Sequence, residues 1–431
     1  MLNRLRSLAL AAALLGAGSG VNAQTTAPAA PSVKYTLASP AFQPLAGARV
    51  YHGTRNGYSF QMEVPANWNG ELVMWAHGYQ GTGTTLRVSP PPGREALVAG
   101  GFAWAASSFS ANGWAVRAGS DDTLDLTRHF AATVGAPKRT YLVGASMGGN
   151  VVTDSLEAYP DAYQGALSLC GVMTGTELFD YFLSYNLAAQ YFLGKQWNLN
   201  VQQDPTPFLR EIAGLNAILG QPGNYTLRGK QFDSVIKNLS GGERPFRIEG
   251  LNAVFAAGVT YYYMPLGTPL SGIINLAPGR QVATNANTVY QVDPDLGLAS
   301  ESVNAGVRRV QPNTAVRNAG RTAGYSVPTG NIRVPHLSLH TTGDAFVPIG
   351  LQVSYRRKVD AAGKGDLLVQ RAIRAPGHCD FTQEEVLQGF NDLVRWVREG
   401  VKPRGEDFTK SLADAGREWT RPLRPGDPGN K

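Results

Sequence analysis

Apolar residues fall in short blocks separated by Gly/Pro/Asn turns and by segments of helical spacing. Tyr58 to Val64 (YSFQMEV) alternates apolar with polar, as a strand does when its two faces differ. Glu71 to His77, Phe102 to Ser107, Thr140 to Gly144 and Ala166 to Cys170 are nearly continuous apolar runs. Runs of that kind fit strands buried on both faces. Between them, Leu124, Leu126, Phe130 and Val134 give residues 121–134 a helical spacing, with Ser120 or Asp121 as the N-cap candidate. Asn150 to Tyr159 predicts a second helix, stopped by Pro160. Later, Pro335 to His340 and Leu367 to Ile373 read as strands. Gln383 to Val397 reads as an amphipathic helix through Val386, Leu387, Phe390, Leu393, Val394 and Val397. Strands alternating with helices predict an α/β class: a mostly parallel sheet with helices on both faces.

The rhythm breaks once. Gly171 to Val334 lacks it and carries aromatics at helical spacing: Phe179, Tyr181, Phe182, Tyr185, Tyr191 and Phe192, then Tyr261 to Tyr263. This predicts a largely helical cap inserted after the strand ending at Cys170, with a loop-rich second half over 265–331. Its aromatics form either the wall of a cleft or the cap's own core, and Trp104 and Trp114 are equally ambiguous. Gly-Leu-Asn-Ala occurs at 214–217 and 250–253 without flanking similarity, which makes the echo a coincidence. The same holds for the sequons at Asn224 and Asn238.

Composition narrows the class. In 431 residues, 50 Gly and 27 Pro are too few for a collagen or low-complexity chain, and 43% apolar residues supply a large core. The net charge of +7 is scattered, and Arg4 and Arg6 supply two of it, so nucleic acid is excluded as a partner. Those two arginines precede the apolar run Leu8 to Leu15 and a small-residue site, Val21-Asn22-Ala23, which is the pattern of an export leader. The run is shorter than the roughly 20 residues a membrane helix needs. After leader removal no integral membrane segment is expected, and the location is secreted or periplasmic. The expected division is leader 1–23, tether 24–44, core 45–173 and 332–403, cap 174–331 and C-terminal tail 404–431. Export places Cys170 and Cys379 in an oxidising space that favours a disulfide. Closing so long a loop stabilises by at most about 5 kcal/mol.

The strongest chemical signal is Gly144-Ala145-Ser146-Met147-Gly148-Gly149, after an apolar strand and before a helix. A sharp turn there lifts the Ser hydroxyl above the sheet edge. Asp344 follows the strand ending at His340. His378 follows the last strand in Pro376-Gly377-His378. In this order the chain resembles the α/β-hydrolase superfamily, whose sequence runs nucleophile, acid, His. The resemblance covers nearly all of 45–400 apart from the insert. It implies Ser146 as nucleophile, His378 as base and Asp344 as the carboxylate that orients it, with Glu177 as reserve acid. The Ser-Met-Gly-Gly core and the Gly78-Tyr79 pair also look like secreted cutinases and polyester hydrolases.

Two backbone N–H groups are needed for the oxyanion. The resemblance implies Met147 and Tyr79, with Gly78 as the alternative to Tyr79. His77 is read as support for that loop, since it has no second ligand at zinc-site spacing. A Cys directly after the His, here Cys379, resembles tannases and feruloyl esterases. Their partner Cys precedes the Ser, where this chain has Ala145, so the pairing here falls to Cys170. No metal or cofactor is expected. The expected function is an exported serine hydrolase cleaving a small-molecule or polymeric carboxylic ester through an acyl-enzyme. The alternative is a peptidase or amidase with the same triad, in which Glu177 or Asp180 anchors an amine. The third possibility is an inactive hydrolase fold that only binds.

Overall fold

The structure is a computed structural model that describes residues 33–196, 215–256 and 281–427. The leader, residues 24–32 of the tether, Tyr261 to Tyr263 and Gly214 of the first Gly-Leu-Asn-Ala copy lie outside the described residues. Eight strands form the main sheet: β1 (Ala48–Arg55), β2 (Tyr58–Pro65), β3 (Glu71–Ala76), β4 (Ala103–Ser107), β5 (Arg139–Ala145), β6 (Gly165–Leu169), β7 (His336–Thr341) and β8 (Leu368–Ile373). Their spatial order is β8-β7-β6-β5-β3-β4-β2-β1. All neighbours are parallel except β1 with β2 and β2 with β4. The sheet is thus mostly parallel, and the six strands from β3 to β8 are buried along their whole lengths, apart from the two end residues of β5.

Among the described residues the helices that pack on the sheet or form the insert's core are α1 (Arg94–Ala99), α2 (Val116–Thr133), α3 (Met147–Ala158), α4 (Glu177–Leu193), α5 (Leu227–Leu239), α6 (Arg247–Ala256), α7 (Gly350–Ala361) and α8 (Gln383–Glu399). One face of the sheet packs Leu126, Phe130, Val152 and Tyr355 from α2, α3 and α7. The other packs Leu97, Phe390, Leu393 and Trp396 from α1 and α8. α8 opens on a capping box in which Thr382 and Glu385 satisfy each other's backbone N–H groups.

Several boundaries differ from the sequence reading, each for a local reason. α2 begins five residues earlier than expected, so Ser120 and Asp121 are not its caps. The Ser120 hydroxyl instead donates to Asp154, near the Val116 carbonyl one turn back, and is fully buried. β1 went unread because it is a polar edge strand, although the Asn56-Gly57 turn that joins it to β2 has both φ values positive (45° and 87°). Order begins inside the expected tether: Thr36–Leu37 pairs with Thr85–Leu86, and Phe42 lies 5.6 Å from Trp104. The expected tail packs against the core, burying Phe408, Leu412 and Trp419.

Between β6 and β7, the described part of the insert holds α4 to α6 and the further helices Leu215–Leu219, Ser300–Gly306 and Thr314–Ala319. Phe179, Phe182, Tyr185, Phe192 and Phe232 bury one another there, so most of its aromatics are its own core. Trp104 is core too, fully buried with its indole N–H on Glu63.

β7 carries two fully buried histidines. His336 shares a 2.9 Å hydrogen bond with Ser168, and His340 Nε2 donates to the Val347 carbonyl at 2.8 Å. Burial pushes His336 down to about 3 and His340 to about 4. Both stay neutral in the fold, while the unfolded chain takes up protons below about pH 6.5. The unfolded state therefore binds more protons, and stability falls as pH drops from about 6.5 toward 4. The expected result is a denaturant midpoint that declines between pH 7 and pH 5, with a shallower decline in His336→Asn. A midpoint that stays flat over that range contradicts neutral burial.

Candidate active site

Ser146 stands between β5 and α3 with φ 57° and ψ −121°, a conformation that costs a non-glycine residue about 1–3 kcal/mol. The neighbours hold it there. Ser146 N–H donates to Leu169 O at 3.0 Å, and Ser146 O accepts from Gly149 N–H and Val172 N–H. The glycines of the motif are spaces the fold has filled. A Cβ on Gly144 would lie 2.3 Å from the Gly148 carbonyl oxygen, and one on Gly148 would lie 2.0 Å from that of Ala76. One on Gly149 would meet Gly171 Cα at 2.4 Å.

Asp344 sits in the loop after β7, fully buried. Its Oδ1 accepts from the N–H groups of Phe346 and Val347 at 2.9 and 3.0 Å. Its Oδ2 accepts from His378 Nδ1 at 2.6 Å. Burial opposes the charge on Asp344, but attraction to His378 and the hydrogen bonds outweigh it and hold the carboxyl below its usual range. With the Nδ1 proton committed to Asp344, His378 Nε2 is the acceptor facing Ser146 Oγ at 2.9 Å. The two loops are tied together: Thr341 Oγ1 donates to Gly377 O, and Gly343 N–H to Ala375 O. Residues 146, 344 and 378 therefore form one hydrogen-bonded row.

Cys170, at the end of β6, is disulfide-bonded to Cys379. Cys379 Sγ lies 3.6 Å from His378 Nε2, so the bridge abuts the imidazole. The donor atoms of Cys170, His378 and Cys379 lie within 4.8 Å of one another. A disulfide, however, offers no thiolate for a metal.

The loop after β3 lies on the serine. A Cβ on Gly78 would come within 3.2 Å of Ser146 Cβ. His77 is buried and stacked on Phe109 at 3.9 Å, and its Nδ1 donates to Gly78 O at 2.7 Å. Burial lowers its pKa, keeping it a neutral donor. In a planar trans peptide, C=O and N–H point opposite ways, so pinning Gly78 O sets the direction of Tyr79 N–H. Met147 N–H belongs to the leading turn of α3, whose first N–H groups have no partner within the helix.

Glu177 and Asp180 are engaged elsewhere. Glu177 accepts from Ser354 Oγ and pairs with Lys358 Nζ at 3.0 Å, which removes it as reserve acid. Asp180 is held bidentately by Arg317 at 2.8 and 2.6 Å and accepts from Thr284 N–H. Neither carboxylate is free to anchor a substrate amine. Tyr79 and Trp114 pack both against the cluster of Ala76, Phe109, Val116, Met147 and Val151 and against the core of the insert, with Trp114 5.1 Å from Phe179. Phe346 tilts over His378 at 5.5 Å. Sequence reasoning missed Phe346 and His340; the latter lies 3.9 Å from Asp344, and the only clue was its place one loop before the acid.

The chain is similar to o-phthalyl amidase of Xanthobacter agilis, 22% identical over 420 residues, covering 85% of this chain and 91% of the relative. Among solved structures it is similar to an esterase from Aspergillus oryzae, at 13% identity and TM-score 0.44, covering 83% of this chain and 80% of that one. It is also similar to Candida antarctica lipase A in its closed state, at 12% identity and TM-score 0.40, covering 86% and 83%. No protein-family model matches the chain. The strand order of the sheet and the turn at Ser146 give this chain the fold of the α/β-hydrolase superfamily.

Proposed function

We propose that the protein is a serine hydrolase that transfers an acyl group to water, with a carboxylic ester as substrate. The observation that carries this reading is the row from Ser146 Oγ through His378 to Asp344, at 2.9 and 2.6 Å. Ser146 Oγ attacks the carbonyl carbon as its proton passes to His378 Nε2. Asp344 holds the imidazole tautomer and offsets the positive charge that develops. The N–H groups of Met147 and Tyr79 take the oxyanion, each worth on the order of 10²–10³ in rate. His378 then protonates the departing alcohol, and water, deprotonated by the same nitrogen, releases the acid. No step calls for a metal or cofactor.

Amide cleavage is the second reading, favoured by the likeness to an amidase. It uses the same steps with an amine as leaving group. Export is part of the proposal: the Cys170–Cys379 bridge suits an oxidising compartment, and among the described residues no helix is long and apolar enough to cross a membrane.

Ser146→Ala is expected to lower turnover of p-nitrophenyl esters by about 10⁵–10⁶-fold while circular dichroism stays that of the parent. A folded variant that keeps its rate removes Ser146 as nucleophile. Matched p-nitrophenyl esters and p-nitroanilides separate the two readings. The ester reading requires the higher kcat/KM on esters beyond their intrinsic reactivity, whereas equal or greater anilide turnover selects the amide reading. Replacing both cysteines by serine is expected to lower stability by about 2–5 kcal/mol and to reduce kcat as well. An unchanged kcat would mean that the bridge does nothing for the imidazole it touches.

A further inference from the structure

Residues 404–427 have no periodic pattern, yet they are bound along β8 and beyond it. Glu406 N–H donates to Gln370 O at 2.7 Å, while its carboxylate accepts from Ala372 N–H and Gly416 N–H. The open edge of the sheet is covered in this way. Where β8 ends, the side chain of Arg374 is only 1% exposed. Its Nε donates to Ala415 O at 2.9 Å, Nη1 to Asp427 at 2.8 Å, and Nη2 to Asp414 Oδ1 and O at 2.5 and 3.0 Å. Its own backbone N–H donates to Thr420 Oγ1.

The same segment grips the other end of the loop that carries His378. Buried Glu385, at the start of α8, accepts from Arg421 N–H at 2.7 Å and Arg424 Nη2 at 2.8 Å. Thr382 Oγ1 donates to Arg421 O. Beneath the loop, Trp419 packs with Ile373, Ala375 and Phe381. The hydrogen bonds of Glu406 already cover the edge without Arg374. A guanidinium buried among two carboxylates and two carbonyls carries a desolvation cost that edge cover does not require. What it adds is direction, because a planar fork with fixed donors holds the chain at one position and orientation.

Resting on the reading of His378 as base, we propose that residues 404–427 are a strap that sets the position of His378, acting through the positioning residue Arg374. The strap holds the loop at residues 374 and 382–385, and the disulfide holds it at 379. Together they fix the imidazole within the few tenths of an ångström that proton transfer from Ser146 demands.

The test measures kcat and KM on a p-nitrophenyl ester for full-length Arg374→Met, Arg374→Lys and Asp427→Asn, with folding checked by near-ultraviolet circular dichroism and melting temperature. Arg374→Met is expected to lower kcat roughly 10- to 100-fold at near-constant KM, with partial recovery in Arg374→Lys. Asp427→Asn, which keeps side-chain volume, is expected to lower kcat in the same direction and serves if Arg374→Met does not fold. Removing both cysteines should make the Arg374→Lys loss in kcat larger than it is with the bridge intact, since two supports of one loop are coupled. Folded variants with lower melting temperature and unchanged kcat overturn the strap and leave only edge cover. Retained activity in Ser146→Ala instead overturns the catalytic reading, which separates the two failures.

Discussion

The structure depends on a contact with no clearance: the carbonyl oxygen of Ala76 occupies the space where residue 148 would carry a side chain. That contact sets α3 against the end of β3, and β5 must then turn within one residue to enter the helix. Ser146 takes up the turn in a strained conformation, with the bonds to Leu169 and Val172 holding it from β6 and the segment that follows. The strain is local, and three parallel strands share its support. A serine placed here cannot relax into the helix or the strand, so its hydroxyl stands clear of both.

The other two members of the row come from loops that the sheet order brings side by side. β7 and β8 are neighbours in register, so Thr341 opposes Ile373 and the loops leaving them start level. Asp344 is buried and His378 is partly exposed, so the carboxylate is enclosed while the imidazole stays accessible from outside. Two backbone N–H groups on Oδ1 leave Oδ2 alone to hold the imidazole. The disulfide adds a covalent tie from the end of β6 to the residue after His378, across β7.

Much of this was legible in the sequence because parallel strands buried on both faces write themselves as uninterrupted apolar runs. β3 to β6 come close to that, whereas β7 alternates leucines with His336, Ser338 and His340, and β8 carries Gln370 and Arg371. The glycine-serine-glycine turn and two loop residues after strand ends follow from that frame. What escaped notice was written in side chains whose partners are distant. β1 is a polar edge, and Arg374, Asp414 and Asp427 look like ordinary surface charges until the fold brings them together. Glu177 and Asp180 looked available because their partners, Lys358 and Arg317, lie more than a hundred residues away. The early start of α2 was hidden because Ser120 reads as a cap by residue type, whereas burial against Asp154 decided its role.

The described part of the insert is fastened to the elements that carry the row. Arg321 donates to Asp154 on α3 at 3.0 Å and also pairs with Asp121 on α2. Glu157 on α3 accepts from Thr329 and Gly330 N–H groups. On the opposite flank Arg244 donates to Thr342 O at 2.7 Å, and a Cβ on Gly250 would lie 1.8 Å from Gly343 O and 2.7 Å from Pro376 O. The insert thus touches α3 and the loops that carry Asp344 and His378. A rigid outward swing of these parts would strip buried charges of their partners and open contacts that have no slack, while displacing the groups that must stay aligned. The described insert therefore belongs with the scaffold, packed against Tyr79, Trp114 and Phe346.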